Sequence, residues 1–266
     1  PISYAESVVR SETGDYKSVD GGFGLLGIKF DFGVRRADEG FNRFNSLSDA
    51  EIHGQIAGIA RFFAQHGVDD RVQVVAYDDA GGMMAVRVWW LLRWLGHAAV
   101  AVLDGGWPKW LAEARPVTDR VQHRAPRAFT PRVQPDWWWT TEEVAQRARD
   151  SAYKILDARN ADRYRGENET IDPVAGHIPG AISAPYADNL NPDGTFKPIE
   201  ALRARFESLL GQTPAERTAC YCGSGVSAAH NILAMEHAGL GIARLYAGSW
   251  SEWIVDPARP IATGSE

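Results

Sequence analysis

The sequence has little cysteine and no long apolar run. Only two cysteines, Cys220 and Cys222, occur among 266 residues, so no disulfide framework can form and a reducing compartment is the simpler setting. No apolar stretch approaches the roughly 20 residues that a membrane-spanning helix needs. Residues 1 to 4 lack a basic region followed by an apolar core, so we expect no signal peptide. We therefore expect a cytoplasmic protein that does not bind a membrane.

The chain also lacks an excess of positive charge. Its formal net charge is −6, which gives no support to nucleic acid or an anionic membrane surface as a partner. Hydrophobic residues make up 45% of the chain and charged residues 23%, which is typical of globular proteins rather than disordered ones. At this length we expect one or two domains, each with its own core.

Helix and strand patterns alternate along the chain. Apolar side chains recur at helical spacing between residues 52 and 63, and two further helices are predicted at 83–95 and 227–238. Short apolar runs predict strands at 72–77, 100–103, 154–157, 218–221 and 243–246. This alternation predicts the α/β class, with mostly parallel sheets flanked by helices. In such sheets ligands bind beyond the carboxyl ends of the strands.

A glycine-rich stretch at residues 22–27 matches the pattern G-x-G-x-x-G. A dinucleotide site would need a buried strand before the pattern and a helix after it. Residues 28–32 instead alternate like a strand. We therefore favour a glycine-rich loop over a nucleotide fingerprint.

The two halves of the chain repeat at an offset of 143. Residues 103–110 line up with residues 246–253, and Gly96 lines up with Gly239. Without a gap, the same offset places Asp79 against Cys222, so only the second copy carries the thiol. A period this long indicates a duplicated domain. Four prolines between residues 116 and 135 predict an extended linker between the copies.

The loop at residues 222–228 (C-G-S-G-V-S-A) joins a predicted strand to a predicted helix. Gly223 and Gly225 allow a tight curl that turns successive N–H groups inward, and the helix adds the positive end of its dipole. A thiol at the mouth of such a ring is stabilised as the nucleophilic thiolate. We interpret Cys222 as a catalytic nucleophile, with an inert buried cysteine as the alternative. Cys220, inside the strand, is predicted to be a core residue.

Five motifs give the second half a resemblance to the rhodanese (sulfurtransferase) family. In chain order they are L-D-A-R at 156–159, R-Y-R-G at 163–166, G-H-I-P-G-A at 176–181, the loop at 222–228 and Y-A-G-S-W-S-E-W at 246–253. The resemblance covers residues 139 to the end, and about 70 to 110 in the first copy. It implies two tandem rhodanese-like domains: a silent domain at 1–118 whose first 45 or so residues diverge, a linker at 119–138, and a catalytic domain at 139–266.

The resemblance also implies a reaction. The cysteine of this family takes a sulfane sulfur from a donor, becomes a persulfide and passes the sulfur to cyanide or a thiol. The loop looks like that of members that use 3-mercaptopyruvate. Thiosulfate, the alternative donor, is a dianion, and no cationic side chain lies between Cys222 and Ser227 to bind it. The implied partners are a small-molecule donor and a thiol or cyanide acceptor, with a thioredoxin-like reductant as a further candidate. No metal or cofactor is implied, and we expect a monomer.

Site residues follow from the same resemblance. Ser224 is expected to relay a proton, unless its hydroxyl only hydrogen-bonds the turn. Arg163 matches the arginine that binds the substrate carboxylate, with a surface ion pair to Asp162 or Glu167 as the alternative. The loop positions expected to bind the substrate are Gly223, Gly225, Val226 and Ser227.

The remaining polar residues of the motifs are interpreted as structural. Asp157 and Arg159 end a strand, His177 belongs to a turn and is expected to bond backbone, and His230 is expected to pack on its helix. Members that use mercaptopyruvate carry a second arginine before this turn, where residues 170–175 have none. Those members also use an N-terminal histidine and aspartate to complete a proton relay with the loop serine, and residues 41–47 contain neither.

Two other classes of function were considered. A cysteine phosphatase on the same fold needs an arginine six residues after the cysteine, and position 228 is alanine, which argues against it. A non-catalytic sulfur-carrier or binding module stays open as a third possibility.

Overall fold

The computed structural model of the chain describes residues 22–25, 28–31, 49–117 and 124–265. These residues form two compact units. From residue 47 onward the first unit comprises Leu47–Gln134 and Pro192–Thr195, and the second comprises Pro135–Asn191 and Phe196–Glu266. The segment at 41–47, in which the relay residues were sought, lies outside the described residues.

The first unit is built on a four-stranded sheet with strand order β2-β1-β3-β4. Strands β3 and β4 are parallel, with Val74 opposite Val100, and the chain crosses between them through a buried helix. The elements of this unit are β1 (Gly22–Leu25), β2 (Ile28–Asp31), α1 (Asp49–Gln65), β3 (Val74–Tyr77), α2 (Ala85–Trp94), β4 (Val100–Val102) and α3 (Gly106–Ala112). The helix and strands predicted between residues 72 and 103 are confirmed, with slightly shorter bounds.

The G-x-G-x-x-G stretch forms an antiparallel pair of strands. Gly22 pairs with Asp31 and Leu25 pairs with Ile28, and β1 also pairs antiparallel with β3 in the middle of the sheet. A strand therefore follows the glycines where a dinucleotide site needs a helix. The structure contradicts the nucleotide interpretation, and the favoured glycine-rich loop is also wrong, because Gly22–Leu25 form a strand. The predicted strand after the glycines is confirmed.

The second unit carries a wholly parallel sheet with strand order β6-β5-β7-β8. Parallel pairing and flanking helices confirm the α/β class predicted from the alternating pattern. The helices and strands are α4 (Thr141–Arg147), β5 (Lys154–Asp157), α5 (Ala161–Arg165), β6 (Ile182–Ser183), α6 (Ile199–Leu210), β7 (Thr218–Tyr221), α7 (Ala228–His237), β8 (Arg244–Leu245) and α8 (Ser249–Trp253).

The proline-containing segment has no regular structure at residues 124–134, and one turn of 3-10 helix follows at Pro135–Trp137. It nevertheless lies along the first unit, because the N–H groups of Arg127, Arg132 and Gln134 donate to backbone carbonyls of α1 and of the end of α2. Burial of aromatic and aliphatic side chains holds each unit together. Trp90 and Leu92 are fully buried in the first unit, and Tyr221 and Trp250 in the second. Among the described residues, no helix is both long and apolar enough to cross a membrane.

The hydrogen bonds of the two units correct the predicted equivalence of Asp79 and Cys222. The N–H of Trp250 donates to the carbonyl of Cys222 at 3.0 Å, and the N–H of Trp107, its counterpart at an offset of 143, donates to the carbonyl of Asp78 at 2.8 Å. Asp78 therefore takes the place of Cys222, and Asp79 does not. The first loop is one residue longer: β3 ends at 77 and α2 begins at 85, whereas β7 ends at 221 and α7 begins at 228.

The Asp78 carboxylate fills the loop of the first unit. One oxygen accepts hydrogen bonds from the N–H groups of Ala80 (2.9 Å) and Gly82 (2.8 Å), and the other accepts from Met84 and Ala85 at 2.8 Å each. The side chain is buried. Buried N–H groups need acceptors, and a carboxylate is a strong one. The loop after the middle strand is thus a ring of donors that binds an anion.

We expect Asp78→Asn to lower the free energy of unfolding by about 2 kcal/mol or more, because an amide replaces a charged acceptor and leaves buried N–H groups unpaired. Urea denaturation followed by tryptophan fluorescence measures the change. The matched control is Asp79→Asn at the exposed neighbouring position, which should shift stability by less than about 0.5 kcal/mol. A larger loss from the Asp79 variant would restore the ungapped equivalence.

Candidate active site

Cys222 lies directly after β7, at the carboxyl end of a strand flanked by β5 and β8. Its side chain is almost fully buried. Its N–H donates to the hydroxyl of Ser249 at 3.1 Å, and its carbonyl accepts from the N–H of Trp250 at 3.0 Å. The first turn of α8 therefore fixes the backbone on both sides of the Cys222 side chain.

The same turn holds the next residue of the loop. The carbonyl of Gly223 accepts from the N–H and the hydroxyl of Ser251, at 2.9 and 2.8 Å. Ser249 has a φ of +54°, which is uncommon for a residue with a side chain, and its hydroxyl donates to the carbonyl of Tyr246 at 2.9 Å. The hydrogen bonds made by Ser249 and Ser251 hold the turn against the start of the Cys222 loop.

The rest of the loop presents backbone donors. Among the described residues, no group accepts from the N–H groups of Ser224, Val226 or Ser227. Gly225 has a φ of +76°, and a Cβ there would lie 2.3 Å from the carbonyl oxygen of Ala247, so only glycine fits. Because the corresponding loop of the first unit binds a carboxylate, this loop has the donors to stabilise an anion next to Cys222.

The loop also carries two hydroxyl groups, those of Ser224 and Ser227. The side chains of Ser224 and Ser227 belong to half-buried residues, and within the described part of the chain neither hydroxyl makes a hydrogen bond. The turn-bonding alternative for Ser224 is therefore not observed. A free hydroxyl two residues from the thiol is compatible with proton transfer, which stays a prediction.

Cys220 is a core residue, as predicted. It is fully buried in β7, and burial raises the pKa of its thiol far above the ordinary value. A thiol that resists ionisation is a poor nucleophile. Of the two cysteines, only Cys222 lies beside the loop donors.

Arg163 lies beside the Cys222 loop, although 59 residues of sequence separate it from the cysteine. A Cβ placed on Gly223 would be 3.7 Å from both terminal guanidinium nitrogens of Arg163 and from Oδ2 of Asp172. The side chain of Arg163 donates to Glu169 through Nε and Nη2, and to Asp172 at 2.9 Å. The predicted alternative partners were wrong: Asp162 accepts from the backbone N–H of Arg163 but pairs with none of its guanidinium nitrogens, and Glu167 pairs with Arg165.

Glu169 organises the charges around Arg163. Its carboxylate also accepts from the N–H groups of Ile171 and Asp172 at 3.0 Å, and lies 3.4 Å from Nη1 of Arg159. Burial by itself would raise the pKa of Glu169, but these N–H groups and Arg163 hold it below its ordinary value. Glu169 is therefore an ionised carboxylate shared by two arginines.

Asp172 ends this network at the loop. Its side chain is 10% exposed, against 2% for Glu169. Burial, and next the charge of Glu169, raise the pKa of Asp172 above its ordinary value, although Arg163 and Arg159 act in the opposite direction. Asp172 is thus less firmly ionised than Glu169.

The structural interpretation of Asp157 and Arg159 is confirmed. Both side chains are buried, and Arg159 bonds Asp157 through two nitrogens and donates to the carbonyl of Gly176 at 2.7 Å. Its guanidinium lies over the ring of Trp250, 4.8 Å from the centroid, which ties the end of β5 to α8.

The two histidines of the motifs are also structural. His177 is buried, donates through Nδ1 to the carbonyl of Tyr164 at 2.7 Å and stacks on the Tyr164 ring. His230 is buried on α7 and stacks on Phe196. Both interpretations are confirmed.

Sequence reasoning missed Glu169, Asp172 and Ser249. Asp172 lies in the segment where a second arginine is expected, and Glu169 directly precedes that segment. Ser249 lies inside a motif that the two halves share, at the position of Gly106, whose φ is also positive. A serine in place of that glycine was the available signal.

Comparison with known proteins finds one family in both halves of the chain and in its relatives. The family model for the rhodanese-like domain matches residues 38–113 and 140–256. A Pseudomonas aeruginosa protein named a probable 3-mercaptopyruvate sulfurtransferase is 48% identical over 201 residues, covering 74% of this chain and 70% of that protein. The thiosulfate sulfurtransferase of Bos taurus is 35% identical over 202 residues, covering 74% of this chain and 68% of that protein.

A solved structure shows the same fold. The structure of an EanB variant in complex with ergothioneine superposes with a TM-score of 0.71 at 21% identity. The match covers 79% of this chain and 55% of that one, so this chain spans little more than half of its length. Identity at this level supports the fold and nothing finer.

We expect Gly225→Ala to slow alkylation of Cys222 by iodoacetamide. The new Cβ would overlap the Ala247 carbonyl oxygen and strain a positive φ by roughly 1–2 kcal/mol, which would displace the loop N–H groups next to Cys222. A tenfold slower reaction corresponds to about 1.4 kcal/mol of lost stabilisation. The rate is read from the mass of the modified protein.

The matched control is Gly194→Ala. Gly194 also has a positive φ, +78°, but a Cβ there meets nothing within 4 Å. This variant carries the backbone strain without the overlap, so its alkylation rate should be unchanged. Equal rates in the two variants would show that the close approach of Ala247 does not shape the loop.

Proposed function

Because the chain belongs to the rhodanese family, we propose that it is a sulfurtransferase that carries sulfur as a persulfide on Cys222. The favoured donor is 3-mercaptopyruvate, and the acceptor is a thiol or cyanide. Thiosulfate is the alternative donor, in keeping with the name of the bovine relative.

One observation carries the proposal. Cys222 takes the place in the second unit that Asp78 takes in the first, where four N–H groups bind a carboxylate. The second loop has no side chain that fills the ring among the described residues. An anionic sulfur on Cys222 would lie beside the N–H groups of Ser224, Val226 and Ser227, which would favour both the thiolate and the terminal sulfur of a persulfide.

In the first half-reaction the Cys222 thiolate attacks the sulfur of 3-mercaptopyruvate. A sulfur–sulfur bond forms, and the bond between that sulfur and C3 of the donor breaks. The electron pair of the broken bond leaves as the enolate of pyruvate, which takes up a proton. Ser224, with its unbonded hydroxyl, is proposed to relay that proton.

In the second half-reaction an acceptor thiolate or cyanide attacks the outer sulfur of the persulfide. The sulfur–sulfur bond breaks, its electron pair returns to Cys222 and the thiolate is regenerated. With cyanide the product is thiocyanate. With a thiol it is a persulfide, which a thioredoxin-like reductant can resolve.

The charges beside the loop support a donor with one negative charge. Arg163 is proposed to bind the donor carboxylate, and the backbone of Gly223, Gly225, Val226 and Ser227 to bind the sulfur. Arg163 already bonds Glu169 and Asp172, so its charge is largely compensated. A dianion such as thiosulfate gains less from such a cation than it would from an unpaired one.

We also propose that the protein works as a monomer in the cytoplasm. Cys220 and Cys222 are both free thiols, and persulfide chemistry needs Cys222 reduced. Size-exclusion chromatography with light scattering tests the monomer, and fractionation of cells that express the protein tests the compartment.

Incubation with 3-mercaptopyruvate should add one sulfur atom to the intact protein. The gain is expected on Cys222, because its thiol lies beside the loop donors while Cys220 is buried and resists ionisation. Intact-mass spectrometry and peptide mapping measure the gain and its position. Subsequent addition of cyanide should remove it.

The matched controls are Cys222→Ala and Cys220→Ala. The first should abolish the gain of sulfur and the second should retain it. Persulfide formation that survives Cys222→Ala would contradict the proposal. No gain from 3-mercaptopyruvate or thiosulfate in the unaltered protein would favour a non-catalytic binding module.

Arg163→Lys should raise KM for 3-mercaptopyruvate by about tenfold with little change in kcat, because lysine keeps the charge but loses the planar fork that binds a carboxylate. Steady-state kinetics with cyanide as acceptor gives both constants. Arg165→Lys is the control, since Arg165 is two residues away and pairs with Glu167. Equal effects of the two substitutions would remove Arg163 from the site.

A further inference from the structure

Five charged side chains form a chain from the end of β5 to the Cys222 loop. The order is Asp157, Arg159, Glu169, Arg163 and Asp172, and the contacts between neighbours are 2.6, 3.4, 2.8 and 2.9 Å. Signs alternate along the chain. With Asp172 ionised it contains three carboxylates and two guanidinium groups, so one negative charge is in excess.

The excess charge lies at the Asp172 end. Asp157 is fully buried and bonds Arg159 through both oxygens, and Glu169 is shared between both arginines. Asp172 bonds only the Nη2 group of Arg163 in this network. Burial, and next the charge of Glu169, raise the pKa of Asp172 in spite of its contact with Arg163.

Asp172 also faces the loop. Its Oδ2 atom lies as close to the Cβ position of Gly223 as the Arg163 guanidinium does, 3.7 Å. A ligand carboxylate that reached Arg163 next to Gly223 would meet the Asp172 carboxylate on the same guanidinium. Competition for one cation and repulsion between like charges then act together.

We propose that Asp172 is a specificity-determining residue that selects against donors by their negative charge. The inference rests on the proposed sulfur transfer from an anionic donor. Asp172 occupies part of Arg163 and adds its own charge to the site, which disfavours a monoanion and disfavours a dianion twice as strongly. The site thereby prefers 3-mercaptopyruvate to thiosulfate.

Coulomb energy is proportional to charge, so the proposal has a quantitative form. Full water screening is the weakest coupling that a side chain only 10% exposed can have, and a unit charge at about 7 Å then changes affinity for a monoanion by at least about threefold. The same change applied to a dianion is the square of that factor, at least about ninefold. Asp172→Asn should therefore raise kcat/KM by at least about threefold for 3-mercaptopyruvate and by at least about ninefold for thiosulfate.

The isosteric substitution leaves the backbone contact of residue 172 with Glu169 in place. The control is Glu167→Gln, which removes one negative charge from the same segment but at an exposed carboxylate paired with Arg165. It should leave both kcat/KM values unchanged. Equal gains from the two substitutions would assign the effect to net charge and overturn the role of Asp172, as would an unchanged or lower kcat/KM in Asp172→Asn.

A binding measurement keeps the inference separate from the proposed function. Calorimetric titration of the Cys222→Ala protein with pyruvate, a monoanion, and sulfate, a dianion, requires no sulfur transfer. Adding Asp172→Asn to this protein should tighten pyruvate at least about threefold and sulfate at least about ninefold. Equal dissociation constants with and without the substitution overturn the inference even if Cys222 forms a persulfide. Tighter binding without persulfide formation upholds it while the proposed function fails.

Discussion

The second unit depends on one requirement: backbone N–H groups at the end of its middle strand must face an anion or water. The loop that leaves β7 curls so tightly that Gly225 has a positive φ and touches the Ala247 carbonyl. This curl turns donors inward, and burial makes unpaired donors costly. Hydrogen bonds from α8 to Cys222 and Gly223 then fix the loop in place.

The duplicated chain meets this requirement in two ways. In the first unit the Asp78 side chain accepts hydrogen bonds from four N–H groups of its own loop. In the second unit Cys222 takes the same place, and its side chain is short enough to leave the loop N–H groups accessible to a ligand. The carboxylates of Glu169 and Asp172 lie beside the loop and form ion pairs with Arg163. The proposed site therefore combines backbone donors for sulfur with a partly compensated cation for a carboxylate.

Local pattern predicted much of this arrangement and failed where spacing changed. The helices after the two loops and the strands before them were placed within a few residues, because apolar periodicity reports burial directly. The equivalence of Asp79 and Cys222 was wrong because the first loop carries one extra residue. The sequence could not separate Asp78 from Asp79, because both are aspartates and they are neighbours. Hydrogen bonding separated them: one is buried among N–H groups and the other is exposed.

The sequence by itself determined the α/β class, the duplication and the family, because these depend on periodicity and on short motifs whose residues are neighbours. Only the tertiary structure decided which side chain fills the first loop and which charges surround Arg163. Glu169 and Asp172 lie more than 50 positions before Gly223, and their placement depends on how the segment after α5 folds back. Charge contacts of this kind are set by distance in space, which no spacing in the sequence specifies.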